Sequence, residues 1–308
     1  MTYRHLAFVT ALAVLLLPAV GQAQTYTTAW GDPDLQGIWT NVTITPLQRP
    51  VDFAGQEVLT EEEAAAFEQV TAERRVDGPP RAGDPGTYNQ HWFDRGTKVV
   101  GDRRTSLIID TPDGRIPWRP DSPISAANRN EGRGVDYWDD HTDLDTGERC
   151  ITDGMPHVPW VYNNNYQILQ SPGYIAILHE QYNERRIITV DGSPHVEANI
   201  DQWFGDPRGH WEGDTLVVET TNYSPKASYR GSADGLHLIE RFTLTGSDQL
   251  EYEITVTDPT TWTAPWTAMA PLSRSSDTLF EYACHEGNIG MAGILAGARV
   301  QEEKAAGR

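Results

Sequence analysis

From Tyr166 onward the chain is a series of short apolar or alternating runs: Tyr166 to Gln170, Tyr174 to Glu180, Arg186 to Val190, Gly209 to Glu212, Thr215 to Thr221, Leu238 to Leu244, Leu250 to Asp258 and Leu279 to Cys284. Turn signals separate them, among them Ser171-Pro172-Gly173, Asp191-Gly192, Glu212-Gly213-Asp214 and Gly246-Ser247-Asp248. Eight short strands with hairpin turns and almost no helix predict an antiparallel sheet that closes on itself or folds into a sandwich. The alternation is cleanest where Leu250, Tyr252, Ile254 and Val256 interleave with Glu251, Glu253, Thr255 and Thr257, so this strand has one wet face.

Upstream the pattern differs. Thr60 with Glu63 three residues on is a capping-box signature, and Ala64, Phe67 and Val70 continue at helical spacing to about Arg75, which predicts one helix. Gly78-Pro79-Pro80 and Gly83-Asp84-Pro85-Gly86 then predict a long loop. Ser106 to Asp110, a Pro112-Asp113-Gly114 turn and Arg115-Ile116 read as a strand, turn, strand unit. Asp32 to Trp39 reads as an extended clasp on the main domain. Residues 119–149, rich in Asp, Asn, Arg and Gly, read as an irregular insertion packed over it, because Tyr137 and Trp138 need burial. The organisation that follows is a leader over 1–23, an N-terminal extension with one helix over 24–104, and an antiparallel barrel of about eight strands over 105–308.

The leader is legible because Arg4 and His5 precede an uncharged run from Leu6 to Leu17, then Pro18 and the small-residue exit Gly21-Gln22-Ala23. That order is a secretory signal peptide cut after Ala23, and a run of about a dozen apolar residues is too short to span a bilayer, which takes about 20. A periplasmic or secreted protein without stable membrane insertion is expected. A formal net charge of -20 over 308 residues excludes nucleic acid as a partner. Cys150 and Cys284, the two cysteines, are expected to be bonded in an exported chain and to pin the insertion to the last barrel strand; two buried free thiols are the alternative.

Four segments carry a resemblance: Asp34 to Trp39, Arg104 to Asp110, Asp206 to Tyr223 and Tyr282 to Asn288. Through them the chain resembles a widespread family of secreted, mostly uncharacterised bacterial proteins. The resemblance spans nearly the whole chain after the leader and brings no activity with it. The hairpin series also looks like the lipocalin-like (calycin) barrels, a likeness of fold that names no function.

The chemistry is sparser than the fold. His179-Glu180 and His285-Glu286 each begin like a zinc-binding His-Glu-x-x-His helix and lack the second histidine, so no metal is expected. Asp143 to Glu148 fails calcium-loop spacing and reads as a solvated acidic turn. The chain has no Gly-x-Ser-x-Gly elbow and no phosphate loop, and no cofactor is expected. What remains are polar residues in or beside apolar strands. His195, His285 and Glu180 read as an acid-base centre, because imidazole titrates near neutral pH. Arg186, Arg208, Asn222, Arg241 and Tyr252 read as substrate-binding, although an Asp206-Arg208 pair that ties a turn suits Arg208 better. The expectation is a cofactor-independent enzyme of lyase, isomerase or hydratase type acting on a small aromatic or hydrophobic molecule. A lipocalin-like carrier of an apolar molecule, or a structural envelope protein, stays open beside it.

Overall fold

The structure, a computed structural model, describes residues 26–74, 93–94, 96–120, 138–227, 229–232 and 234–307. Nine strands close a barrel in sequence order: β1 (Gly37–Thr40), β2 (Asn165–Ser171), β3 (Tyr174–His179), β4 (Glu184–Thr189), β5 (Asp206–Glu212), β6 (Thr215–Thr221), β7 (His237–Gly246), β8 (Gln249–Thr257) and β9 (Trp266–Arg274). The alternation foreseen in β8 is present, with Leu250, Tyr252, Ile254 and Val256 all buried. All junctions are antiparallel except β4 to β5, which touch in parallel at the single pair Thr189 and Arg208. The ring closes where β1 meets β9 at two rungs, Trp39 with Arg274 and Thr40 with Ser273. There the Arg274 guanidinium lies 4.4 Å over the Trp39 ring, and a Cβ at Gly37, whose φ is +138°, would collide with that guanidinium.

Several expectations change. The mainly β barrel is present with nine strands rather than eight. The extension supplies β1, so Gly37 to Trp39 is part of the wall rather than a clasp on it, while Asp32 to Gln36 lies outside the strand. β9 is not predicted because Ala268, Ala270 and Pro271 have poor strand propensity; small side chains suffice there because Trp266 and Leu272 of the same strand, both wholly buried, fill the core beside them. Leu279 to Cys284 is not a strand: the Phe280 and Tyr282 N–H groups donate to the side chains of Glu180 and Asn183, and Cys284 opens a short helix, α2 (Cys284–Gly287). The Cys150–Cys284 disulfide is formed, with Cα atoms 5.7 Å apart, but it ties the 150 loop to α2 and not to the last strand.

The predicted helix is α1 (Glu61–Glu73), with the Thr60 and Glu63 capping box intact; its predicted end at Arg75 lies outside the described residues, as do Gly78 to Gly86 and Tyr137. A C-terminal helix, α3 (Ile289–Ala305), was not foreseen. Ser106 to Asp110 forms no hairpin with Arg115-Ile116. It runs along β9, where Ile109 donates to Thr267 O and Met269 to Leu107 O, both at 2.9 Å, so this segment covers an edge that two rungs of β1 leave open. Leu35, Ile108 and Ile116 share one core with the barrel strands. Among the described residues no helix is long and apolar enough to cross a membrane.

Candidate functional site

Two features stand out: an open cleft at one end of the barrel, and a row of polar side chains inside it. The cleft, about 910 Å³, lies between the ends of β1 to β3, the 275–283 segment and the disulfide. The sequence positions its wall through backbone geometry. Tyr182 and Asn183 take positive φ (56° and 51°), which turns the chain sharply after β3. Asn183 then clamps Tyr282 by its main chain, accepting from the N–H and donating to the carbonyl, both at 3.1 Å. As a result Tyr182 and Tyr282 pack with ring centroids 4.7 Å apart, and Tyr162 stacks on Tyr282 at 6.4 Å.

Between these rings the lining carries Asp94, Glu148, Glu180, Asp277 and Glu281, and among the described residues it holds no Lys, Arg or His. Burial pushes the Asp94 carboxyl above the usual carboxylate range, and the nearby Glu180 and Asp277 charges push the same way against hydrogen bonds from Asn164. Glu180 is buried and engaged at both oxygens: the Asn165 side chain donates to Oε2 at 2.9 Å and the Phe280 N–H to Oε1 at 3.1 Å.

The interior row follows from strand register. On β2 to β4, Tyr166 faces His179, which faces Glu184, and all three are buried. His157 comes in from the loop before β2, stacks on His179 with centroids 3.6 Å apart, and its Nε2 bonds Glu184 Oε2. Across the barrel, Arg186 donates to both carboxylate oxygens of Glu240 and to Thr220 Oγ1 (3.2 Å), while the Tyr252 hydroxyl donates to Glu240 Oε1 at 2.5 Å. Burial holds His157 neutral, its pKa lowered to about 3 with the Arg186 charge adding to the effect. Burial, then the neighbouring His157, likewise takes His179 well below its ordinary value. Burial raises Glu184 to about 7, against the pull of His179, Thr152 and Arg186. A cavity of about 10 Å³ lies among these side chains, and donor atoms of His157, His179 and Glu184 all fall within 4.8 Å of one another.

No protein-family model and no curated protein matches the chain. Among solved structures, a secretary abundant heat soluble (SAHS) protein from Ramazzottius varieornatus is similar over 36% of this chain and 70% of its own, at 15% identity and a TM-score of 0.25. That likeness is too slight to transfer a role.

The predicted acid-base centre is not assembled. His195 sits in the loop before β5, with Nδ1 3.1 Å from Asp206 Oδ2 and Nε2 3.7 Å from Glu219 Oε2. His285 is exposed on α2 and lines neither the cleft nor the interior cavity. Glu180 does line the cleft. Of the predicted substrate-binding residues, Arg186 and Tyr252 meet at Glu240 inside the barrel. Arg208 instead ties Asp206 (3.0 Å), Thr189 and Pro194 together. Asn222, at φ 58°, holds the Glu197 and Ile200 carbonyls and so fastens a loop. Arg241 pairs with Glu212 at 2.8 Å on the outer face, because Leu238 and Phe242 point inward and the alternation turns Glu240, not Arg241, to the interior. Glu240 was therefore readable by parity, and Glu184 by its place two residues before Arg186. His157 and Asp94 lie in loops and gave no such signal.

Proposed function

We propose that this chain is an exported enzyme that performs acid-base chemistry on a small neutral or cationic molecule bound in the cleft, a reaction of lyase, isomerase or hydratase type. Its membership of the widespread secreted family rests on the four segments that carry the resemblance. Export is supported by the leader pattern and the disulfide.

One observation carries the functional reading: the cleft joins three tyrosine rings and Phe280 to five carboxylates, with no cationic side chain in its described lining. Aromatic walls offer stacking surface to a ring or a sugar face. The carboxylates repel an anion and accept hydrogen bonds from hydroxyl or ammonium groups. Neither Arg186 nor Arg241 lines this cleft, so neither contacts a molecule bound there. Asp94 is the proton donor in this reading, because a carboxyl with a raised pKa keeps its proton to higher pH. Glu180 then serves as its charged neighbour.

The saturation of Glu180 by Asn165 and Phe280 favours a second reading, in which the carboxylate fastens the wall and the cleft merely carries its ligand. The two separate when the chain starting at Gln24 is incubated with pooled glycosides, amines and aromatic alcohols and followed by mass spectrometry. Conversion to products supports the enzyme, and co-elution of an unchanged compound supports the carrier. With a substrate in hand, Asp94→Asn is expected to lower kcat by about a hundredfold or more. Wild-type kcat is expected to fall as pH rises through the raised Asp94 pKa, because the protonated donor is lost there. Full turnover by the Asn variant would remove Asp94 from the mechanism.

A further inference from the structure

We propose that His157, His179 and Glu184 form a binding site for one divalent transition-metal ion of the zinc type, inside the barrel and apart from the cleft. Two imidazoles and a carboxylate are the donor set of three-ligand zinc sites that keep a fourth position for water. They also suit the nitrogen-preferring first-row ions generally and suit magnesium or calcium poorly.

The first support is convergence. The donor atoms of the three residues lie within 4.8 Å of one another, although they come from the loop before β2, the end of β3 and the start of β4. The second is independent of it. His179 Nδ1 and Glu184 Oε1 are both buried, and neither makes a well-formed hydrogen bond; Thr152 and the Asp153 N–H approach the Glu184 carboxylate, and the Gln181 N–H approaches His179, without closing one. His179 is 6% exposed and Glu184 3%. A buried donor or acceptor left without a partner costs about 1–3 kcal/mol, and two beside the same cavity mark a place that something fills. The third is size. The cavity of about 10 Å³ among these side chains admits one atom or one water molecule and excludes an organic substrate.

Its surroundings suit a cation as well. Glu240 and Tyr252 face the same cavity, and Arg186, the one positive group in its described lining, is already neutralised by two bonds to Glu240. His179 also borders an open cavity of about 500 Å³ shared with Glu180 and Asn183, which places one ligand beside a route to solvent. The stacked imidazoles do not yet aim both lone pairs at one point. Coordination therefore requires one ring to turn out of the stack.

The site escaped the sequence because its histidines do not share a motif. His179-Glu180 lacks the second histidine at the helical spacing, and a strand needs none there, since a loop supplies it from His157.

The test uses the whole chain after dialysis against a chelator. Adding Zn2+ should give one equivalent retained through gel filtration and a higher thermal midpoint. Co2+ should produce visible d–d bands. His179→Gln and Glu184→Gln should weaken Zn2+ binding at least a hundredfold. Glu219→Gln should leave it unchanged, which controls for the group of half-buried His195 and His237 around the exposed Glu219. Should the interior variants fail to fold, anomalous scattering at the zinc edge from wild-type crystals decides: a peak among His157, His179 and Glu184 supports the site, and a peak elsewhere or none overturns it. Retention of less than a tenth of an equivalent, with no shift in midpoint, also overturns it.

Discussion

At the scale of single residues, the energetic centre of the molecule is Glu240. It is wholly buried, and its two oxygens accept from Arg186 and Tyr252. Two charges taken out of water are tolerable only while paired, so deleting one strands the other. We predict that Glu240→Ala, which leaves the Arg186 guanidinium buried without its partner, destabilises the fold by about 3–5 kcal/mol in urea unfolding. The double variant Arg186→Met, Glu240→Leu should recover most of that loss. A single variant within about 1 kcal/mol of wild type would mean that water reaches the pair. The lesson in legibility is one of parity: the Glu240-Arg241 dipeptide offers two candidates, and Leu238 and Phe242 decide between them. His157 had no strand to decide for it, and its stacking on His179 is a tertiary fact.

At the scale of elements, the cleft wall is stitched on rather than woven in. The 275–283 segment has side-chain partners, Glu180 and Asn183, where a strand would have a ladder, and the disulfide anchors it just beyond at α2. Reduction should therefore loosen the wall and spare the barrel. Hydrogen exchange on the protein with Cys150→Ser and Cys284→Ser is expected to speed up across 279–288 while β7 and β8 keep their protection. Equal loss in β8 would show the bond to be a staple of the whole fold.

The same contrast explains what could be read in advance. β8 was legible because burial alternates along it residue by residue, and α1 because its cap is local. β9 is obscured by alanines and a proline that suit a strand only where Trp266 and Leu272 already fill the core, and Leu279 to Cys284 resembles a strand because an apolar run does not reveal that side chains have taken its N–H groups. Of the candidate site, Glu180, Arg186 and Tyr252 were legible as polar residues in apolar strands. The loop contributions of Asp94 and His157 were not.

At the scale of the whole molecule, charge and covalent chemistry point the same way. A formal charge of -20 favours a dispersed, self-repelling surface, and a formed disulfide suits an oxidising compartment. Protein recovered from outside the cytoplasm is predicted to begin at Gln24 and, denatured without reductant, to label no thiols. An N-terminus at Met1 on such protein would defeat the leader reading.

The ring is latched by its first strand against its last, Trp39 beneath Arg274. No fragment that stops short of Arg274 contains both halves of the latch, so a chain still emerging from the ribosome leaves the fully buried Trp39 uncovered. Contacts this distant along the chain make folding slow. The ring has no closed interior until its last strand is present to meet its first.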